Sequence, residues 1–333
     1  MWSPPRRSSA PSCVARFATA ALALTLAGCA TVPAPAHCVM APADRAWLEG
    51  ALDNWRRVEP QLLRLPAQPL PTVAAIDAQC TYLLPQGRFA GVQAMRHDGT
   101  AVLPDGAEAP IGPISFASGE GGYFAMSLPS VWRAAGVTSE LGLERLMEGV
   151  LLHEMMHIRQ TALAARTLGD AASAAGIADD DLNDDIVQAR FEGDADYVAA
   201  WSMERDALFA AAAAPDDAQA RQLAAEALAL MRARRARWFT GDKASFTAMD
   251  DVFLTMEGMG QWLIHKYFLS PEGGGLTPAD SLRAVRRNQR WWSQDEGLAL
   301  ILVVDRLLPN WQERAFRDPD WRAERLLAAA IEN

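Results

Sequence analysis

The sequence predicts an α+β fold, a small mixed or antiparallel sheet with an edge strand followed by a mainly helical part. Residues 73–129 consist of short apolar runs separated by Gly, Pro and Asp, as in "HDGTAVLPDGAEAP" and "PISFASGEGGYFAMSLP". From about 130 onward, apolar residues recur at helical spacing almost to the end. Strands first and helices after is the order of an α+β domain. With 333 residues, half of them hydrophobic, the chain has material for a substantial core.

The elements follow in order. Residues 1–28 read as a signal segment: Arg6, Arg7 and Arg16 are basic, and "FATAALALTLAG" is apolar but short for a membrane span. The segment ends in "LAGC", which resembles a bacterial lipobox and marks Cys29 for lipidation. Ala30 after it fits outer-membrane rather than inner-membrane retention. Residues 29–41 form an extended tether rich in Ala and Pro. Without residues 1–28 the net charge is −13, a poor match for nucleic acid or anionic headgroups. The expected membrane contact is through the lipid alone. Cys38 and Cys80 remain, either bridged in an oxidising compartment or as two separate buried thiols.

A helix is expected over 42–65, where Trp47, Leu48, Leu52, Trp55 and Leu62 share a face. A hairpin follows, with strands 113–118 and 123–128 around a Gly-rich turn. Further helices are expected from Ser139 to Gly169, from about 180 to 205, and over roughly 216–238, 247–269, 280–292 and 294–308. The domain plan is a catalytic region at 42–210 with a helical half at 211–333 packed on it.

Chemistry concentrates in "LLHEMMHIRQ" (151–160). His153 and His157 are one helical turn apart, so their rings can grip one metal ion. Zinc accepts imidazole nitrogen, and a catalytic site adds a third protein ligand while leaving a position for water. Glu154 is then placed to act as the general base. A second segment, "QARFEGDADYVAAWS" (188–202), offers Glu192 as the third ligand. Asp196, four residues on, would accept a hydrogen bond from a ligand imidazole.

His153-Glu154-xx-His157 followed by Glu192-xxx-Asp196 resembles the gluzincin zinc metallopeptidases. "EGDADYVA" is most similar to the corresponding segment of the CAAX-prenyl-protease-like members. The resemblance covers about 139–204. It implies a zincin-like fold, Zn2+ on His153, His157 and Glu192, Glu154 as base, and a peptide or protein substrate paired to an edge strand within 113–128. The 34 residues between His157 and Glu192 depart from the thermolysin-like branch. No later motif clearly supplies an oxyanion-stabilising group; His265 is the leading candidate, ahead of Tyr267 and Tyr197.

The expected activity is zinc-dependent hydrolysis of peptide bonds on the periplasmic face of a bacterial envelope. The alternatives are a non-catalytic lipoprotein whose metal joins helices for a protein partner, and an enzyme cleaving a non-peptide amide. The acids of "ADDDLNDD" (178–185) lack the spacing of a calcium loop and are read as helix-capping residues. The glycines of "MEGMGQW" (256–262) suit close helix packing or substrate access. "RARRAR" (232–237) is read as a solvated or ion-paired face, and Trp238, Trp291, Trp292 and Trp311 as core.

Overall fold

The computed structural model describes residues 38–118, 122–178 and 181–333; the signal segment and Cys29 lie outside them. Helix α1 (Pro42–Leu63) buries Leu48, Leu52 and Trp55, the face that the spacing predicts. A mixed five-stranded sheet follows, built from β1 (Thr72–Ile76), β2 (Cys80–Leu84), β3 (Gln93–Arg96), β6 (Ser115–Ser118) and β7 (Tyr123–Ser127) in the order β3-β2-β1-β7-β6. Strands β1 and β7 pair in parallel at the centre; the other pairs are antiparallel. The ribbon β4 (Thr100–Val102) with β5 (Glu108–Pro110) stands apart as a two-stranded sheet.

Alternation along the central strands explains why the sheet has two covered faces. Val73, Ala75, Phe124 and Met126 point into the main core with the helices. Ala74, Ile76, Tyr123 and Ala125 meet Ala101, Leu103 and Ala109 of the ribbon region in a smaller cluster. The sheet therefore extends beyond the expected hairpin, and strands 115–118 and 123–127 are its β6–β7 edge. A disulfide joins Cys38 to Cys80 at the start of β2, with Cα atoms 5.9 Å apart.

The helical part comprises α2 (Pro129–Ala134), α3 (Leu143–Ala175), α4 (Ile186–Phe191), α5 (Ala195–Ala213), α6 (Asp217–Trp238), α7 (Phe246–Leu269), α8 (Pro278–Arg286), α9 (Trp292–Leu307), α10 (Trp311–Arg317) and α11 (Ala323–Glu332). No helix among the described residues is long and apolar enough to cross a membrane. Residue 210 lies inside α5, and one hydrophobic core draws on α1, the sheet, α3 and all the later long helices.

Helix α3 begins after Gly142 rather than at Ser139, and it runs through Gly169 to a left-handed cap at Gly176. The helix expected from 180 to 205 is two. Gly193 lies in the break, and the Asp194 carboxylate caps α5 by accepting the backbone N–H groups of Asp196 and Tyr197. Asp185, at the cap position of α4, makes no side-chain capping bond, contrary to the capping role read for the acid run.

Two helices cross unusually closely. A Cβ placed on Gly258 of α7 would meet the Gly297 carbonyl oxygen of α9 at 2.3 Å, and one on Gly297 would meet the Leu254 carbonyl oxygen at 2.5 Å. Glycine on both sides is thus required for backbones in contact. The arginine run is only partly a surface face. Arg232 and Arg237 pair at the surface with Glu324 and Asp196. Arg234 and Arg235 are buried, bonded to Glu204, Asp250, Asp251, Glu296 and Glu324 from four neighbouring helices. Buried guanidinium groups require such complete pairing.

Candidate metal centre

Helix α3 turns His153, Glu154, His157 and Gln160 inward among Leu151, Leu152, Met155 and Met156. Facing them is α7, whose residues 257–265 are all buried. A helix apolar nearly all round belongs at the centre of a fold, and a carboxylate within it needs partners. Glu257 finds them: Oε2 lies 3.0 Å from His153 Nε2 and Oε1 lies 3.0 Å from His157 Nε2. The two Nε2 atoms are 2.9 Å apart. Among the described residues, His153, His157 and Glu257 are the one group of three whose donor atoms converge closely enough to hold a metal ion.

The convergence fits a cation. An ion with four ligands at about 2.0–2.2 Å spaces neighbouring donor atoms about 3.3–3.6 Å apart. The present separations need open by only a few tenths of an ångström. His157 Nδ1–H is directed to Gln160 Oε1 at 3.0 Å, so Nε2 is the nitrogen that faces the group and must release its proton to bind a metal. The Gln294 amide donates to Glu257 Oε2 at 3.1 Å and in turn accepts from Gln261 at 2.7 Å. These amides fix the carboxylate through the α7–α9 crossing at Gly258. Gly260 completes the fit, because a Cβ there would lie 2.5 Å from His153 Nδ1.

Burial disfavours charge on all three donors, and their mutual attraction decides which keep it. Burial holds the His153 imidazole down at about 4, despite the nearby Glu257. For His157 burial also opposes charge, but Glu257, helped by Glu154, lifts it to about 9. Glu257 itself is buried, yet the two imidazoles hold it well below the usual carboxylate range. Two of the three donors are therefore already in the protonation state that binds a metal.

Glu154 is 1% exposed and its charge reaches His157. Asp184, from the acid run, is also buried close by. Burial, then the charges of Glu257 and Asp185, push its carboxyl well above the usual range.

The structure places three of the expected site residues outside this group. Glu192 is exposed at the end of α4 and is absent from the metal-competent group, where Glu257 takes its place. The physical cause is the break at 192–194, which turns Glu192 to solvent instead of along a continuous helix. Asp196 is exposed and pairs with Arg237 at 2.7 Å; the hydrogen bond expected from it to a ligand imidazole is made by Gln160 to His157. His265 is eight residues beyond Glu257, about 12 Å along α7, and is bonded through Nδ1 to Ser281 Oγ at 2.9 Å. Neither tyrosine replaces it. Tyr267 bonds Asn54 and the Glu272 carbonyl, and the Tyr197 hydroxyl accepts from Arg234.

Glu257, Gln160 and Gln294 were the residues not read from the sequence. The signal for Glu257 is a single acid inside "VFLTMEGMGQWLI", with two glycines just after it. Gln160 carried a similar one, a polar residue one turn after His157 on an otherwise apolar face. No protein-family model, curated protein or solved structure matches this chain.

Proposed function

We propose that this protein is a zinc-dependent hydrolase of peptide bonds, with His153, His157 and Glu257 as metal ligands and Glu154 as general base. The observation that carries the reading is the completion of His-Glu-xx-His on α3 by a buried carboxylate from α7. Two imidazoles and one carboxylate are a donor set suited to zinc, and they leave a coordination position for a reactant. Zinc held there would supply Lewis-acid polarisation of a carbonyl and a lowered pKa for its water.

The chain's own residues do the rest. Glu154 is buried on the same turn of α3 and its charge reaches His157, which suits it to take a proton from water and pass it to the leaving amine. Gln160 and Gln294 keep the ligands oriented. Strand β6 pairs only with β7 among the described residues and packs against α3, so its outer edge suits pairing with an extended peptide. The disulfide between Cys38 and Cys80 agrees with an oxidising compartment. The "LAGC" segment supports lipid anchoring at Cys29 in a bacterial envelope.

One observation favours a second reading. His153 and His157 are 4% exposed, and Glu154 and Glu257 are 1% exposed. Such closure also suits a metal that only joins α3 to α7 in a non-catalytic envelope protein. Glu154→Gln separates the two. In the hydrolase the variant keeps zinc, measured by elemental analysis, and loses at least about 100-fold in peptide hydrolysis. Hydrolysis at the wild-type rate by the variant, or none by the zinc-loaded wild type across a peptide library, contradicts the enzyme reading.

A further inference from the structure

Close to the metal group lies a cavity lined by Trp201, Trp292, Tyr197, Phe253, Asp184 and Ser293. Trp201 and Trp292 stack at 4.5 Å, and the Arg205 guanidinium lies over the Trp201 ring, so the indole is fixed. The space reaches about 300 Å³ counted out to its mouth, but its base has room for only about one water-sized group.

Most polar groups around it are already committed. Tyr197, Asp250 and Glu296 bond Arg234, and Gln188 bonds the backbone at Arg290 and Trp292. Three atoms are buried without a hydrogen-bond partner: Trp201 Nε1, Ser293 Oγ and Asp184 Oδ2. Trp201 is 4% exposed and Asp184 7%. Leaving such atoms unsatisfied is costly, so three of them on residues lining one small space mark a place prepared for a ligand atom.

The cavity adjoins the metal group directly in the chain. Ser293 precedes Gln294, whose amide holds Glu257, and Leu254 on its wall is one turn before Glu257.

The three atoms define the ligand. Trp201 can only donate, whereas the Asp184 carboxyl and the Ser293 hydroxyl can each donate or accept. An ammonium group cannot accept from Trp201. A carboxylate or a carboxamide exceeds the room, which takes about one water-sized group. A hydroxyl satisfies all three: it donates to Asp184 Oδ2 and accepts from Trp201 Nε1–H and Ser293 Oγ–H. We propose that this cavity is a recognition pocket for a hydroxyl-bearing side chain, Ser or Thr, of a peptide bound at the metal group. This inference rests on the hydrolase reading for its substrate class.

The test uses the zinc-loaded protein with two isosteric probes, N-acetyl-threonine amide and N-acetyl-valine amide. Binding is followed at the indole N–H resonance of Trp201, assigned with Trp201→Phe. The threonine probe is expected to shift that resonance and to bind at least about tenfold more tightly than the valine probe. Ser293→Ala is expected to reduce the preference to about threefold or less. Equal binding of both probes, or binding of neither, overturns the proposal and leaves the cavity to an ordered water. The comparison of probes on the wild type stands even where a variant fails to fold. Threonine-selective binding without cleavage of any peptide would keep the pocket and sink the hydrolase. Cleavage with no preference between Thr and Val peptides would do the reverse.

Discussion

Two acidic stretches compete for the third metal position, and they differ in the company their carboxylates keep. Glu192 and Asp196 occur in a segment dense with acids, broken at Gly193, and both are solvent-exposed. Glu257 is the one acid of α7 beyond Asp251, set among largely apolar residues, and it is 1% exposed. An exposed carboxylate is satisfied by water and places no demand on the fold. A buried one must be paired, and here its partners are the two histidines. Density of acids is therefore a weaker sign of a metal ligand than isolation within a core.

The comparison can be pressed where the α7 site depends on close packing. Gly258→Val puts side-chain atoms into the Gly297 backbone and forces α9, which carries Gln294, away from α7. A loss of about 3 kcal/mol or more is expected, seen as a lowered midpoint in urea unfolding. An unchanged midpoint would mean that the crossing is not tight.

Smaller effects are expected where only orientation is lost. Gln160→Leu removes the acceptor that directs His157 Nδ1–H. It should weaken zinc affinity by about 10–100-fold while leaving the fold intact, as read by competition with a chromophoric chelator. Affinity equal to wild type would show that Gln160 does not set the imidazole.

The smallest effect concerns His265, the other buried titratable group of the inner stretch of α7. Burial, with the Lys266 charge adding, holds its imidazole down at about 4. The unfolded chain takes up that proton near 6.5. Stability from this group is therefore full above about pH 6.5 and is lost as the pH falls toward 4. Urea unfolding with a chelator present should show His265→Gln flattening the decline between pH 7 and pH 4.5. An unaltered slope would mean that the imidazole is free to charge in the folded protein.

Much of the architecture was legible. The α+β order, the amphipathic α1 and the edge hairpin followed from periodicity and turn residues alone. The five-stranded sheet was not, because β1 and β7 pair in parallel across about fifty residues, and local pattern carries no record of that pairing. The first half of the site was equally plain, since His153, Glu154 and His157 are bound into one helix by spacing. The second half depends on α7 bringing Glu257 to α3 from 100 residues beyond His157. The glycines of "MEGMG" provide the packing at Gly258 and the space for the His153 ring at Gly260, the first of the two uses that their spacing suits. The arginines of α6 misled in part because a charge run usually faces water, whereas Arg234 and Arg235 are matched by buried acids contributed from distant helices.

The central claim is that Glu257, and not Glu192, completes the metal site. Elemental analysis of Glu257→Ala and Glu192→Ala, each purified in zinc-supplemented buffer and dialysed alongside wild type, tests it most directly. The account predicts about one zinc per chain in wild type and in Glu192→Ala, and a loss of at least tenfold in occupancy for Glu257→Ala. Zinc lost from Glu192→Ala and retained by Glu257→Ala would contradict it.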